Sequence, residues 1–239
     1  MKKLLQIIKW GMLIAFTLIV LAFTEKKQGE QLVKLNQINI EMSEDKFLTK
    51  NSVLQYIEKH NFAYDGVVLS QFYLNDLEEI LLKHSAVRKA EVYSNQQGVI
   101  KIKLQQRKAI VRIKTAYVDY YLDEDGLEMP LSKSFTPRVI VVTGDANQKH
   151  HASIYAFIQK INKSEFWKSQ ITQLHFLDDE VVLIPRVGSQ KIHFGMLVNS
   201  TEKLDNLYQF YKQAMSVKGW QTYSDISLKY KNQIVCTKK

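Results

Sequence analysis

The sequence predicts an α+β protein with an apolar N-terminal transmembrane helix, a small β-α-α-β-β domain and a mostly β C-terminal domain with two helices. Three observations predict this class. The segment from Trp10 to Phe23 contains no charged residue. Residues 99–104 alternate apolar and polar side chains, as half-buried strands do. Further along, apolar residues recur at the spacing of one helical face, at Ile154, Phe157, Ile158 and Ile161.

Composition excludes two broad classes of protein. With 46% hydrophobic and 24% charged residues over 239 positions, the chain can bury one large or two small cores and is not a disordered protein. The net charge of +9 is spread along the chain and is densest beside the apolar N-terminus. A nucleic-acid-binding domain concentrates its charge on one face. The charge therefore favours a membrane surface or a protein partner, and no nucleic acid is expected.

The single cysteine, Cys236, excludes an intramolecular disulfide. It stands near the end of a stretch in which apolar residues alternate with polar ones. A cysteine in that setting is usually a small buried apolar residue. We therefore expect neither a reactive thiol nor a metal ligand at this position.

The apolar N-terminal stretch is long enough to cross a bilayer. Extended back to Leu4, it reaches the roughly twenty residues that a spanning helix needs. Lysines precede the stretch at Lys2, Lys3 and Lys9, which favours a cytoplasmic N-terminus. The alternative is a cleaved signal peptide, because Val20-Leu21-Ala22 resembles a peptidase site. Both interpretations carry the remaining chain out of the cytoplasm.

The sequence predicts these boundaries: a cytoplasmic tail at 1–9, a transmembrane helix at 10–24, a linker at 25–35, a first domain at 36–113 and a second domain at 114–239. The first domain is expected to begin with a strand that carries Ile38, Ile40 and Met42. Two helices follow, the first capped by Thr49 or Asn51 and the second running from Leu74 to Lys83. Two strands, at residues 90–93 and 99–104, complete it.

The second domain is predicted to consist of short strands with two amphipathic helices. Strands are expected at 117–122, 139–142, 171–176, 181–185 and 191–194, and a long final strand at 224–236. The helices carry their apolar faces on residues 154–161 and 204–211. The aromatic residues of 208–223 are expected to pack between helix and sheet rather than to form a binding surface.

No pattern in the chain indicates catalysis, a cofactor or a metal. Asp123-Glu124-Asp125-Gly126 lacks the spacing of a calcium loop and is expected to be a hairpin turn. His150 and His151 are adjacent, so that neither a helix nor a strand would direct both at one ion. The nucleophile-elbow, zinc-protease and phosphate-loop motifs are absent from the sequence.

Taken together, these segments resemble the FtsQ/DivIB cell-division family, in its Bacteroidetes-like branch. The resemblance covers almost the whole chain and places a POTRA domain at 36–113. It is carried by the segments LLKHSAVRKAEV (81–92), Ile100 to Ile113, Tyr121 to Gly126, Met129 to Gly144 and ISLKYKNQIV (226–235).

The resemblance implies a non-enzymatic scaffold that binds other single-span division proteins of the FtsB/FtsL type and helps recruit or regulate septal peptidoglycan synthesis. It implies a single-pass type II inner-membrane protein with a periplasmic bulk and no cofactor or small-molecule substrate. Partner binding is expected on the late strand, through Leu228, Lys229, Tyr230 and Lys231, unless Tyr230 packs in the core. The alternatives are a POTRA-bearing component of outer-membrane assembly or secretion, and an exported enzyme or lipid-handling protein.

Overall fold

The chain divides into two units, Met1–Gln106 and Arg107–Lys239, and each has its own sheet. The computed structural model describes residues 2–40, 46–64, 66–95, 97–132 and 135–239. The sequence predicted a single strand, at 99–104, before the first domain ends at residue 113. The chain instead forms two strands there, and the second of them joins the sheet of the second unit.

Helix α1 spans Lys2–Gly29 and therefore continues into the predicted linker. Its segment Ile8–Lys27 is long and apolar enough to cross a membrane, and none of that segment is buried against the rest of the chain. The hydroxyls of Thr17 and Thr24 donate to main-chain carbonyl groups of the preceding turn. These polar side chains are thus satisfied within the helix, as a lipid environment requires.

The first unit contains a three-stranded sheet covered by helices. Its elements are β1 (Lys34–Ile40), α2 (Lys50–Lys59), α3 (Leu74–Leu82), β2 (Val87–Ser94) and β3 (Val99–Gln106). Strand β3 lies in the centre, parallel to β1 and antiparallel to β2. The predicted β-α-α-β-β order is confirmed. Thr49 caps α2 by accepting the N–H of Ser52. Met42 lies outside the described residues.

Alternation along β3 builds the core of this unit. Ile100, Ile102 and Leu104 are at most 1% exposed, while Lys101 and Lys103 point to the other face. The helices close the core with Val53 and Ile57 of α2 and Leu77 and Leu81 of α3. The face assignment read from the sequence is therefore correct.

The second unit contains a nine-stranded sheet with helices packed on one face. Its strands are β4 (Ala109–Lys114), β5 (Asp119–Asp123), β6 (Glu128–Met129), β7 (Ile140–Gly144), β8 (Ile171–Leu177), β9 (Glu180–Pro185), β10 (Lys191–Gly195), β11 (Tyr223–Ser227) and β12 (Val235–Lys238). Its helices are α4 (His151–Asn162), α5 (Glu165–Gln170), α6 (Ser200–Phe210), which continues as a π-helix over Tyr211–Met215, and α7 (Ser216–Lys218). The strand order is β12-β11-β10-β9-β8-β7-β4-β5-β6.

A single row of apolar side chains crosses this sheet from strand to strand. Successive members are register partners, and they face the helices. From β4 to β12 the row consists of Ile113, Val142, Leu174, Leu183, Ile192, Ile226 and Cys236. All but Cys236 have no exposed surface. Cys236 is partly buried at the end of the row, and desolvation raises the pKa of its thiol.

The long final strand predicted over 224–236 is wrong. The chain forms two antiparallel strands, β11 and β12, joined by residues 228–234. The turn contains Asn232 at φ 59°, a left-handed conformation that asparagine adopts more readily than most residues. An alternating pattern is the same for one long strand and for two strands of a hairpin. Folding back places Cys236 opposite Ile226, so that both face the core.

In the first unit, two histidines flank one tyrosine. The Tyr56 ring lies 4.2 Å from the His60 ring and 4.5 Å from the His84 ring, between centroids. Nδ1 of His84 accepts the Ala86 N–H at 3.1 Å, just beyond the end of α3. Burial, and then the neighbouring His60, lowers the pKa of His84. The folded unit therefore favours neutral His84.

Replacing Ile102 by Asp should lower the free energy of unfolding of the first unit by about 3–5 kcal/mol, because it buries an unpaired carboxylate. Lys101→Asp, on the opposite face of the same strand, is the control and should cost far less. Urea unfolding followed by hydrogen-exchange mass spectrometry of residues 87–106 measures both. Equal stability of the two variants would contradict the burial of Ile102.

The first unit should lose stability as the pH falls below about 6.5, the ordinary pKa of an unfolded histidine. The pKa of His84 is lower in the folded unit than in the unfolded chain, so below about pH 6.5 the unfolded chain binds more protons. The stability that neutral His84 contributes at higher pH is therefore lost as the pH falls. His84→Asn can still accept the Ala86 N–H but cannot titrate. Hydrogen exchange of residues 79–90 at pH 7.5 and 5.5, corrected for intrinsic rates, should show a smaller pH dependence in this variant than in the parent.

Candidate partner-binding site

The hairpin connection of residues 228–234 holds the four residues expected to bind a partner, and they have different environments. Leu228 is 4% exposed and belongs to the hydrophobic core of the second unit. Its N–H donates to the His193 carbonyl oxygen at 2.9 Å. Leu228 therefore fixes the start of the connection and does not present its side chain to a partner.

Lys229 is engaged within the chain. Its ammonium group forms an ion pair with Glu180, at the start of β9. Its stem lies against Gly195, where an added Cβ would meet Lys229 Cγ at 3.3 Å. Nearby, Lys203 donates to the carbonyl oxygens of Phe194 and Met196 at 2.8 and 2.9 Å. Burial lowers the pKa of Lys203, and the charge of Glu180 opposes this effect.

Tyr230 and Lys231 face solvent, as the paired Lys229 also does in part. The Tyr230 side chain is 55% exposed, so the alternative that it packs in the core is wrong. Lys231 is also exposed and precedes the left-handed Asn232. That these residues bind a partner stays a prediction.

A polar groove lies between the connection and α6 with its π-helical continuation. Two adjoining cavities of about 410 and 270 Å³ form it. The larger cavity is lined mainly by exposed amide side chains, with one carboxylate: Glu202, Asn206, Gln209 and Gln213 on the helix side, and Asn232 and Gln233 on the connection. The smaller cavity shares several of these residues and is also lined by the four predicted residues, Leu228 to Lys231. An amide both donates and accepts hydrogen bonds, and it therefore suits the main chain of a bound peptide.

Strand β12 is an edge strand of the sheet. Among the described residues, it pairs with β11 on one side and with no strand on the other. The N–H of Lys239 donates inward to the Thr222 carbonyl oxygen. Because successive residues of a strand direct their main-chain groups to opposite sides, those of Cys236 and Lys238 face outward. The edge, Tyr230, Lys231 and the groove all belong to or adjoin one hairpin. The sequence pattern did not reveal the groove, because it lies between segments distant in the chain.

The histidines and acids considered for metal binding have structural contacts. His150 accepts the Asn147 N–H and contacts Asp179 at 3.0 Å, whereas His151 contacts Tyr120. Lys149, and then His150, lower the pKa of the Asp179 carboxyl. Among the described residues, no three histidine, cysteine or acidic side chains form a group that could hold a metal ion.

Asp123 closes the predicted hairpin turn. Its carboxylate accepts the N–H groups of Asp125 and Leu127 at 3.0 and 2.8 Å and pairs with Arg107 at 2.6 Å. Gly126 follows at φ 77°. The hairpin turn predicted for this segment is confirmed.

Aromatic side chains pack around α5 and the π-helix, as the sequence predicted. Tyr211 is 4% exposed, and burial raises its pKa to about 12. Its ring lies 5.0 Å from Trp220 and 6.0 Å from Trp167, between centroids. This cluster belongs to the core of the second unit.

Two family models match the chain. The one described as FtsQ/DivIB, C-terminal related, matches residues 108–237. The one described as POTRA-like domain matches residues 34–105. The first covers more than half of the chain. The chain belongs to the FtsQ/DivIB family. No protein of curated function matches it significantly.

Membership of the FtsQ/DivIB family gives the chain a role in cell division. Members of the family are known as non-enzymatic scaffolds. Together with helix α1, the family identifies a membrane-anchored protein. The first unit is its POTRA-like domain and the second is its FtsQ/DivIB-related domain.

Leu228→Ala should lower the free energy of unfolding of the second unit by about 2–5 kcal/mol, since it leaves a cavity in the core. Tyr230→Ala, two residues away on the surface, should change it by less than about 0.5 kcal/mol. Urea unfolding followed by the fluorescence of the buried Trp167 measures both. A stable Leu228→Ala protein would mean that this residue does not anchor the connection.

Proposed function

We propose that the chain is a bitopic cell-division scaffold whose second unit binds other single-span division proteins and so helps recruit or regulate septal peptidoglycan synthesis. The observation that carries the proposal is the hairpin at the sheet edge. There an open strand, an exposed tyrosine and lysine, and an amide-lined groove adjoin one another in the family-matched unit.

Strand addition is the binding mode that this edge favours. A partner strand beside β12 would pair with the outward main-chain groups of Cys236 and Lys238. Tyr230 would supply a large anchor with little rotamer entropy to lose, and Lys231 would attract an acidic segment. The groove would accept the polar continuation of the partner chain. Lys238, exposed on the edge, also protects the free protein against edge-to-edge aggregation.

The orientation in the membrane follows from charge. Lysines are concentrated before the span, at Lys2, Lys3 and Lys9, and the cytoplasmic flank of a span is usually the more positive. The N-terminus would therefore be cytoplasmic, and both units would lie on the periplasmic side. A single-span partner in the same membrane would reach them there.

Replacing Lys238 by Pro should weaken partner capture about tenfold or more. Proline removes an outward N–H and its ring obstructs a neighbouring strand. Lys238→Ala keeps the main chain and is the matched control. Photo-crosslinking in dividing cells from position 233, a groove residue that neither comparison substitutes, followed by mass spectrometry of the adducts, measures capture. Adducts with no single-span septal protein, or equal capture by both variants, would contradict the proposal.

A second comparison tests the side chains. The double substitution Tyr230→Ala and Lys231→Glu should abolish capture with unchanged thermal unfolding. Lys229 is left intact, because its reversal would place a carboxylate beside Glu180. Tyr117→Ala is the control: this tyrosine is 95% exposed in the β4–β5 turn, about 24 Å from β11 across the sheet. Undiminished capture by the double variant would place the site elsewhere.

A further inference from the structure

Helix α1 enters the first unit without a flexible linker. An added Cβ at Gly29, the last residue of α1, would meet Ser70 Cβ at 3.3 Å. Immediately afterwards, Gln31 accepts the Leu69 N–H and Val33 donates to the Val67 carbonyl oxygen, both at 2.8 Å. The chain leaving the helix is therefore held against residues 67–70 by its own main chain.

This attachment leaves little distance between the bilayer and the first unit. The candidate span reaches Lys27, and the first of these hydrogen bonds is made by Gln31. Even if fully extended, the chain between them covers only about 14 Å, and the helix through Gly29 shortens that distance. The headgroup layer is itself about 5–8 Å thick. The segment of residues 67–73 must therefore lie in or directly above the headgroups.

The same end of the unit presents side chains suited to that layer. Leu32 is 56% exposed and Tyr73 is 68% exposed. Ser70 and Gln71, also exposed, add polar side chains. Tyrosine is enriched at the boundary between hydrocarbon and water, where its ring is partly buried and its hydroxyl is hydrated. Away from a membrane, the exposed side chains of Leu32 and Tyr73 would be surrounded by water alone.

The β2–β3 turn belongs to this end as well. The Lys34 N–H donates to the Gly98 carbonyl oxygen at 2.9 Å. An added Cβ at Gly98 would meet the Leu32 carbonyl oxygen at 2.8 Å, and Gly98 has φ 73°. A glycine is thus required where the turn packs on the chain leaving α1.

We propose that this end of the POTRA-like unit is a membrane-contact face. Leu32, residues 70–73 and Gly98 rest in the headgroup layer of the phospholipid bilayer and hold the unit in one orientation. The occupant is the lipid surface rather than a protein, because the face is continuous with the spanning helix. Lys26, Lys27 and Lys34 beside it can pair with lipid phosphates, next to the acidic Glu25 and Glu30.

The unit also contains a matched reference position. Leu82 is 46% exposed at the other end of α3, the helix that begins next to Tyr73. Nine residues of helix place it about 13 Å farther along the axis. After Leu82 the chain continues to Val87, which pairs with Gln106. This end of the sheet is the one remote from the Lys34–Val99 pair. Leu82 should therefore lie outside the headgroup layer.

The test uses the full chain with Cys236 replaced by Ala, reconstituted in phospholipid nanodiscs. A fluorophore is attached at Tyr73→Cys, Gln71→Cys or Leu82→Cys in turn. Phosphatidylcholine with a headgroup nitroxide is the quencher. Quenching at positions 71 and 73 is expected to be at least threefold stronger than at 82. Gln71 is a second exposed position on the same face, in case the tyrosine substitution itself disturbs binding.

Two other results would overturn the face. Weak quenching at all three positions would mean that the unit is held away from the bilayer. Equal strong quenching at all three would mean that it has no fixed orientation. Flotation of the full chain with liposomes after an alkaline wash tests the anchor separately. A chain that fails to float would contradict the anchoring by α1 and therefore the membrane-contact face. This result would be independent of partner capture by the second unit.

Discussion

The register of the nine-stranded sheet is the constraint on which the second unit depends. It aligns Ile113, Ile192 and Ile226 in one apolar row across the sheet. Side chains alternate along a strand, so a slip of one residue in any pair would turn that strand's share of the row to the opposite face. The same row positions the partner site: Cys236, opposite Ile226, determines which main-chain groups of β12 face outward.

Two residues of the candidate site also hold the connection in place. Leu228 holds the connection in the core, and Lys229 pairs with Glu180 at the surface. The buried leucine contributes far more to stability, since exposed ion pairs are typically worth less than about 1 kcal/mol. Tyr230 and Lys231 are left in solvent on a connection that is fixed where it begins. A pre-positioned anchor loses less entropy on binding.

Alternation and helical spacing sufficed to predict the elements of the first unit, because each element carries its own periodic pattern, although the sheet order β1-β3-β2 differs from the sequence order. They failed where the same pattern fits two structures, or where the pairing partners of a strand decide which sheet it joins. The alternation of residues 224–236 predicted one strand, although the chain turns back at a connection that contains the left-handed Asn232. Likewise, the sequence assigned the residues of β4 to the end of the first domain, although β4 pairs with β5 and β7 in the sheet of the second unit. Whether a strand is an edge depends on its neighbours, so the pattern indicated the late segment as the partner site but could not identify β12 as the open side.

The short edge also sets how strongly a partner can bind. Strand β12 has four residues, of which Cys236 and Lys238 face outward, so strand addition forms only a few main-chain hydrogen bonds. At about 1 kcal/mol each, these alone correspond to a Kd weaker than about 1 mM. Tyr230 and the groove must therefore supply further contact. If the partner is a single-span protein, as proposed, anchoring of both chains in one membrane would raise their effective concentration, so that a modest interface would suffice there and fail in dilute solution.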